Sequence, residues 1–343
     1  MRILLIGGNG FIGSSLGREL RASGHKPAIF HRRADAGLSA DVVKIRGDRN
    51  RLSDYRSQIQ QFSPDVIIDL ILSSGKQARQ LVDLCRGLAR RVLAISSMDV
   101  YHAWGVLHGS EPGPLEPLPI TEESPLRTNR SLYSPETIDT LRGVFPWLDE
   151  HYDKIAVEET IMNDPAVSGT VLRLPMVYGP GDPLHRFFPL LKRIADGRSS
   201  ILLADDLAAW RGPRGYVENV AHAIALAATS DQAAGRVYNI CDEPTLTELA
   251  WQEKICQQLH WPGNFVVLAR ERTPKHLLQA GNASQHVVVS SERIRTELRY
   301  KEPVGVDEAI QRTVTWEQQN PPRTIDPQQF DYDAEDAALA GQA

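Results

Sequence analysis

The chain has 343 residues, 42% hydrophobic and 24% charged, with a formal net charge of −5. That length suits one large domain with an appended lobe, or two domains, of ordinary globular composition. The negative balance offers no bulk attraction to nucleic acid or an anionic membrane, and no apolar run reaches the ~18 residues of a bilayer-spanning helix.

In chain order, "RILLI" (2–6) reads as a short buried strand. A glycine loop follows, then an amphipathic helix to about Ser23 that Gly24 closes. Further strands are expected at 26–31, 41–48, 65–72 and 91–97, with helices at 52–62 and 75–89 between them. Continuous apolar strands alternating with helices indicate a parallel sheet covered on both faces. Residues 105–149 break the rhythm with seven prolines, a long loop or insertion with at most short helical pieces. Its later part, an insertion at about 127–149, is either a lid over a substrate cleft or a decoration. A helix is expected at 150–163, a strand at 169–179, a helix at 216–230, a strand at 237–240 and a helix at 247–259. The acidic tail from Pro321 reads as loosely docked or disordered. Cys85, Cys241 and Cys256 lack paired or metal-type spacing, and the ten histidines form no ligand pair. Free thiols in a reducing cytoplasm and no metal are therefore expected.

"GGNGFIG" contains Gly7, Gly10 and Gly13, after the first strand and at the opening of a helix. Glycines there permit a tight turn and let the backbone approach a pyrophosphate at the helix N-terminus. An acidic residue about 20 positions on would bind the cofactor ribose. Here the second strand ends in His31, Arg32 and Arg33 instead, with Asp35 too far along to replace the acid. Two guanidiniums suit a 2′-phosphate, so NADP(H) is favoured over NAD(H).

With "GDRN" (47–50), "ISSMDVY" (95–101), "ITEESPL" (120–126), "KIAVEE" (154–159), "LRLPMVYGPGD" (172–182) and "RGYVENVAHAI" (214–224), the chain resembles the extended short-chain dehydrogenase/reductase superfamily. The resemblance is to its NAD-dependent epimerase/dehydratase group and runs over about residues 1–320. It implies an α/β fold: a Rossmann-type doubly wound parallel sheet with a smaller C-terminal α/β substrate lobe. The dinucleotide-binding domain would span 1–175, with 214–240 returning to it; 176–320 would be mainly the lobe and 321–343 a tail. By position, Gly7, Gly10 and Gly13 would cradle the pyrophosphate, with Phe11 and Ile12 adding backbone contacts. Asp48 and Arg49 would lie by the adenine, Leu70 and Ile71 beside the ribose, and Pro175 and Met176 against the nicotinamide. Ser97 would hydrogen-bond the substrate, and Lys154 would hold the nicotinamide ribose. His185 and Arg214 are candidate substrate contacts, Arg214 toward a phosphate; Arg186, Arg211, His102 and Trp104 are weaker ones. The group also implies a homodimer.

The group carries Tyr-x-x-x-Lys on a helix, where i and i+4 share a face. Counting back from Lys154 gives Glu150, while Tyr152 would lie roughly 200° around a helix from Lys154. Four readings stay open. Glu150 is the proton shuttle; or Tyr152 reaches the site because the helix starts late; or a tyrosine from elsewhere, such as Tyr133, takes the role. In the fourth, Glu150 and Lys154 are a surface ion pair and the redox chemistry is absent. The expected function is an NAD(P)-dependent oxidoreductase or epimerase-like enzyme acting on a sugar, a sugar nucleotide or a related hydroxyl/carbonyl compound. A sensor or scaffold that keeps the nucleotide is the alternative. RNA binding, known among relatives of this fold, is disfavoured by the charge.

Overall fold

A computed structural model describes residues 1–32 and 42–341. The strands in chain order are β1 (Arg2–Ile6), β2 (Lys26–His31), β3 (Val43–Arg46), β4 (Val66–Asp69), β5 (Arg91–Ser97) and β6 (Ser168–Leu174). They continue with β7 (Met176–Tyr178), β8 (Ser200–Ala204), β9 (Arg214–Tyr216), β10 (Val237–Asn239) and β11 (Asn264–Leu268). Seven form a parallel sheet in the order β10-β6-β5-β4-β1-β2-β3, a Rossmann-type doubly wound arrangement. The chain leaves β1 toward β2 on one side and returns to β4 on the other. Such a switch point opens a crevice at the carboxyl ends of the strands.

Successive side chains of a strand face opposite ways, and β1 shows the consequence. Ile3 and Leu5 enter one core with the helices Phe11–Ala22 and Val217–Thr229. Leu4 and Ile6 enter the other with Arg56–Phe62, Gly75–Cys85 and Lys154–Asn163. Both faces are covered, which is why the strands read as unbroken apolar runs.

Some boundaries move for local reasons. The strand expected over 169–179 breaks at Pro175, which lacks an N–H for the ladder; β7 pairs with β9 instead of continuing the main sheet. The fourth strand stops at Asp69, leaving Leu70 and Ile71 in a loop. The helix expected from 150 begins at Lys154, because the Asp153 carboxylate accepts from Ala156 N at 3.0 Å and caps it. The tail is not loose. Its helix Tyr332–Ala340 docks through buried Glu335, which accepts from Arg193 Nη2 at 2.7 Å and lies 3.0 Å from His276 Nε2. Among the described residues no helix is long and apolar enough to cross a membrane.

Candidate active site

At the switch point lies a cavity of about 640 Å³, within the usual range for small-molecule sites. Gly7, Gly10, Phe11, Ile12 and Gly13 line it where β1 gives way to the helix Phe11–Ala22. Gly7 has φ +81°, a conformation that favours glycine, and a Cβ there would meet Ile71 at 2.7 Å. A Cβ on Gly13 would meet Gly7 O at 2.6 Å, so the loop and the helix close only without one. The first-turn N–H groups of that helix have no intrahelical acceptor and carry the positive end of its dipole. A bare glycine loop below such donors fits a pyrophosphate.

His31, Arg32, Asp48 and Arg49 also line this cavity. His31 is buried and Arg32 exposed, while Arg33 and Asp35 lie outside the described residues. Arg49 is not a free adenine contact: its Nη2 donates to Asp69 Oδ2 and to Gln77 O, both at 2.8 Å. Asp48 caps the turn that follows, accepting from Asn50 N at 2.9 Å. Leu70, Ile71, Ser97, Lys154 and Pro175 complete the expected lining, whereas Met176 faces a second cavity.

Lys154 is buried, and its ammonium donates to the carbonyls of Leu72 and, at 2.9 Å, Ile95. Burial lowers its pKa from the usual 10.5 to about 8, against the pull of Asp99 and Asp69. One residue before the helix cap, Tyr152 turns into the same cavity and its hydroxyl donates to Asp99 Oδ2 at 2.6 Å. The Tyr133 hydroxyl reaches the same oxygen at 3.4 Å, and the two rings are 5.5 Å apart. Ser97 Oγ accepts from Asp99 N at 3.2 Å, which fixes the carboxylate's backbone beside them. Burial first, then the Asp99 charge, hold the Tyr152 phenol well above its ordinary pKa. Tyr152 therefore rests protonated, with a carboxylate behind it to receive that proton.

The comparisons with known proteins bear on this geometry. A family profile described as the NAD dependent epimerase/dehydratase family matches residues 3–134 and 150–241. The chain belongs to that family. The match leaves out residues 135–149, within the insertion. A curated relative, 2'-dehydrokanamycin reductase of Streptomyces kanamyceticus, is 25% identical over 289 residues, 82% of this chain and 73% of that one. Among solved structures, dTDP-glucose 4,6-dehydratase from Bacillus anthracis in complex with NAD superposes with a TM-score of 0.67 at 17% identity. It covers 93% of this chain and 97% of that one. UDP-glucuronic acid 4-epimerase from Bacillus cereus, in complex with UDP-glucuronic acid and NAD, gives 0.67 at 16% identity, covering 93% and 99%. At these identities the structures establish the fold alone.

Against the family pattern, several candidates need correction. Glu150 sits in the turn before the helix, largely exposed, with His151 Nε2 at 3.9 Å. It pairs with no buried lysine, because a helix starting at Lys154 removes the i,i+4 relation. The same late start turns Tyr152 inward instead of away. His185 does not face the cavities; its Nδ1 lies 2.5 Å from Glu317 Oε1 and its ring stacks on Trp316. Arg211 is spent on Thr245 O and His102 on Glu116. Arg214 lines the second cavity, of about 350 Å³, but is paired with Glu248.

Sequence reasoning passed over Asp99, although an acid inside "SSMDVY" was visible. Arg186, weighed only lightly there, lines both cavities. The insertion lies at the larger cavity, which Leu141, Phe145, Trp147 and Leu148 help to wall. It is tied to the sheet side by Trp147 O, which accepts from Gln77 Nε2 at 3.3 Å, and by Asp149 N, which donates to Ser73 Oγ at 2.8 Å.

Proposed function

We propose that this protein is an NAD(P)-dependent oxidoreductase or epimerase-like enzyme acting on a hydroxyl or carbonyl group of a sugar-related compound, with Tyr152 as its proton shuttle. The observation that carries the reading is the Tyr152–Asp99 contact of 2.6 Å, on the wall of the glycine-loop cavity and beside buried Lys154.

When bound, the nicotinamide supplies the acceptor or donor of the hydride. In the oxidising direction Tyr152 takes the substrate hydroxyl proton while its own proton passes to Asp99. In the reducing direction both steps reverse. A phenol with a raised pKa is a poor base alone, so the carboxylate behind it makes the transfer feasible. Lys154 has two donors committed to backbone carbonyls and a third left for a ribose hydroxyl. Ser97 holds the substrate oxygen near the phenol. The name of the reductase relative supports carbonyl chemistry, and the family supports a nicotinamide cofactor.

NADP(H) is the favoured cofactor, because β2 ends in His31 where an acid would repel a 2′-phosphate, and Arg32 stands at the cavity edge. A homodimer and a cytoplasmic setting belong to the same reading. Titration of the purified protein with NADPH, followed by nicotinamide fluorescence, tests its base. The reading fails if neither NADPH nor NADH binds. It fails equally if Lys154→Met leaves turnover of every accepted substrate unchanged.

A further inference from the structure

The second cavity carries information about the substrate. Its wall is aromatic: Trp104, Tyr178, Trp210 and Trp251 line it, together with Leu107 and Met176. Three arginines also face it, which at first sight suits a phosphorylated ligand. Each is already taken. Arg214 Nη2 donates to Glu248, and its guanidinium lies over the Trp251 ring, 4.7 Å from the centroid. Arg270 donates to Asp206 Oδ2 at 2.5 Å and to Gln279 O at 2.7 Å. Arg186 donates to Asp182 Oδ1 at 2.7 Å and to Val177 O at 2.9 Å. Burial lowers the pKa of His108, which disfavours a charge on that ring.

Three guanidiniums thus stand against three carboxylates, and among the described residues no cation without an acidic partner lines the cavity. A diphosphate would bring its negative charge beside Asp206 and Glu248. To bind, it would strip a guanidinium from its carboxylate and leave that acid unpaired in a half-buried site. Flat indole faces, by contrast, suit the C–H face of a ring, and a few polar groups then set its orientation. One such group is at hand: Trp104 Nε1 is buried without a hydrogen-bond partner among the described residues. It has an N–H to give to a ligand oxygen near the Tyr133–Tyr152–Asp99 cluster.

Resting on the enzymatic reading above, we propose that the second cavity takes an uncharged ring, a pyranose or similar cyclic polyol, and not a sugar carried on a nucleoside diphosphate. The paired arginines are walls and positioning groups. They are not a phosphate clamp.

The test compares UDP-glucose with phenyl β-D-glucopyranoside, which carries the same sugar, on the cofactor-saturated protein by calorimetry at low ionic strength. Cofactor saturation is measured first, so failure there refutes the enzymatic reading alone, while the sugar affinities judge this one. The wild-type protein is expected to bind UDP-glucose no more tightly than the neutral glycoside. Affinity for UDP-glucose at least ~10-fold better, about 1.4 kcal/mol, overturns the proposal. Glu248→Gln frees Arg214, and Asp206→Asn, at a more exposed position, frees Arg270. In at least one folded variant UDP-glucose should gain about 10-fold or more over the neutral glycoside. If both variants fold, as judged by circular dichroism, and neither gains, the carboxylates are not what excludes the diphosphate and the proposal is wrong.

Discussion

Replacing Tyr152 with phenylalanine removes one oxygen and separates two consequences. The first is structural. Asp99 is buried, and its Oδ1 has no hydrogen-bond partner among the described residues, with Arg127 Nη2 at 3.9 Å. Tyr152→Phe leaves Oδ2 with only the Tyr133 hydroxyl at 3.4 Å, near the outer limit of a hydrogen bond. A buried charged acceptor that loses its short partner costs about 1–3 kcal/mol, which urea unfolding of the cofactor-bound protein measures. The second consequence is catalytic. Loss of a positioned proton shuttle slows turnover by about 10²–10⁴-fold, or roughly 3–5 kcal/mol of barrier. The control is Tyr133→Phe. It gives up only the 3.4 Å contact, so stability should fall by no more than about 0.5 kcal/mol and turnover by less than about tenfold. The assay is nicotinamide absorbance with any substrate the wild-type protein accepts. Equal damage from the two variants, or turnover by Tyr152→Phe at the wild-type rate, refutes the assignment.

Other outcomes follow from the same geometry. Lys154 is charged below its pKa of about 8 and neutral above it, so cofactor affinity should fall as pH rises through about 8. That inflection should vanish in Lys154→Met, as fluorescence titrations across pH would reveal. Arg32→Ala should weaken NADPH binding about 10-fold or more while leaving NADH nearly unchanged, which competitive calorimetry resolves. Trp147→Ala opens the wall that the insertion lays over the larger cavity. Stopped-flow displacement should then show faster cofactor release, and an unchanged release rate would make the insertion a decoration. Gly13→Ala puts a methyl group 2.6 Å from Gly7 O, and cofactor binding should be lost even where the chain still folds.

How much of this was readable beforehand depends on how local each signal is. The glycine loop and the apolar strands of the cofactor half are short-range patterns, and they led to the observed sheet. The position of Tyr152 was equally local but depended on a cap. Asp153 before "KIAVEE" is a good helix N-cap, and a start at Lys154 frees the two preceding residues from helical geometry. Reading the helix from 150 overlooked the cap, although a late start that brings Tyr152 to the site stayed among the open readings. The pairing of Arg214 with Glu248 and of Arg270 with Asp206 spans 34 and 64 positions, and no periodicity announces it. Arg214 therefore looked like a free phosphate ligand. The tail was misjudged for the same reason. Its acidic composition suggested solvent, yet Glu335 is held by Arg193 across 142 positions. Long-range charge pairing is what composition conceals, and in this protein it decides both the tail and the second cavity.

The most direct measurement is a crystal structure of the protein with its nicotinamide cofactor bound. The account predicts the Lys154 ammonium at the nicotinamide ribose, and the Tyr152 hydroxyl about 3 Å from where a substrate oxygen beside the ring must sit, still touching Asp99. A nicotinamide ring seated away from Tyr152, with Glu150 or no proton-carrying side chain at that distance, would contradict it.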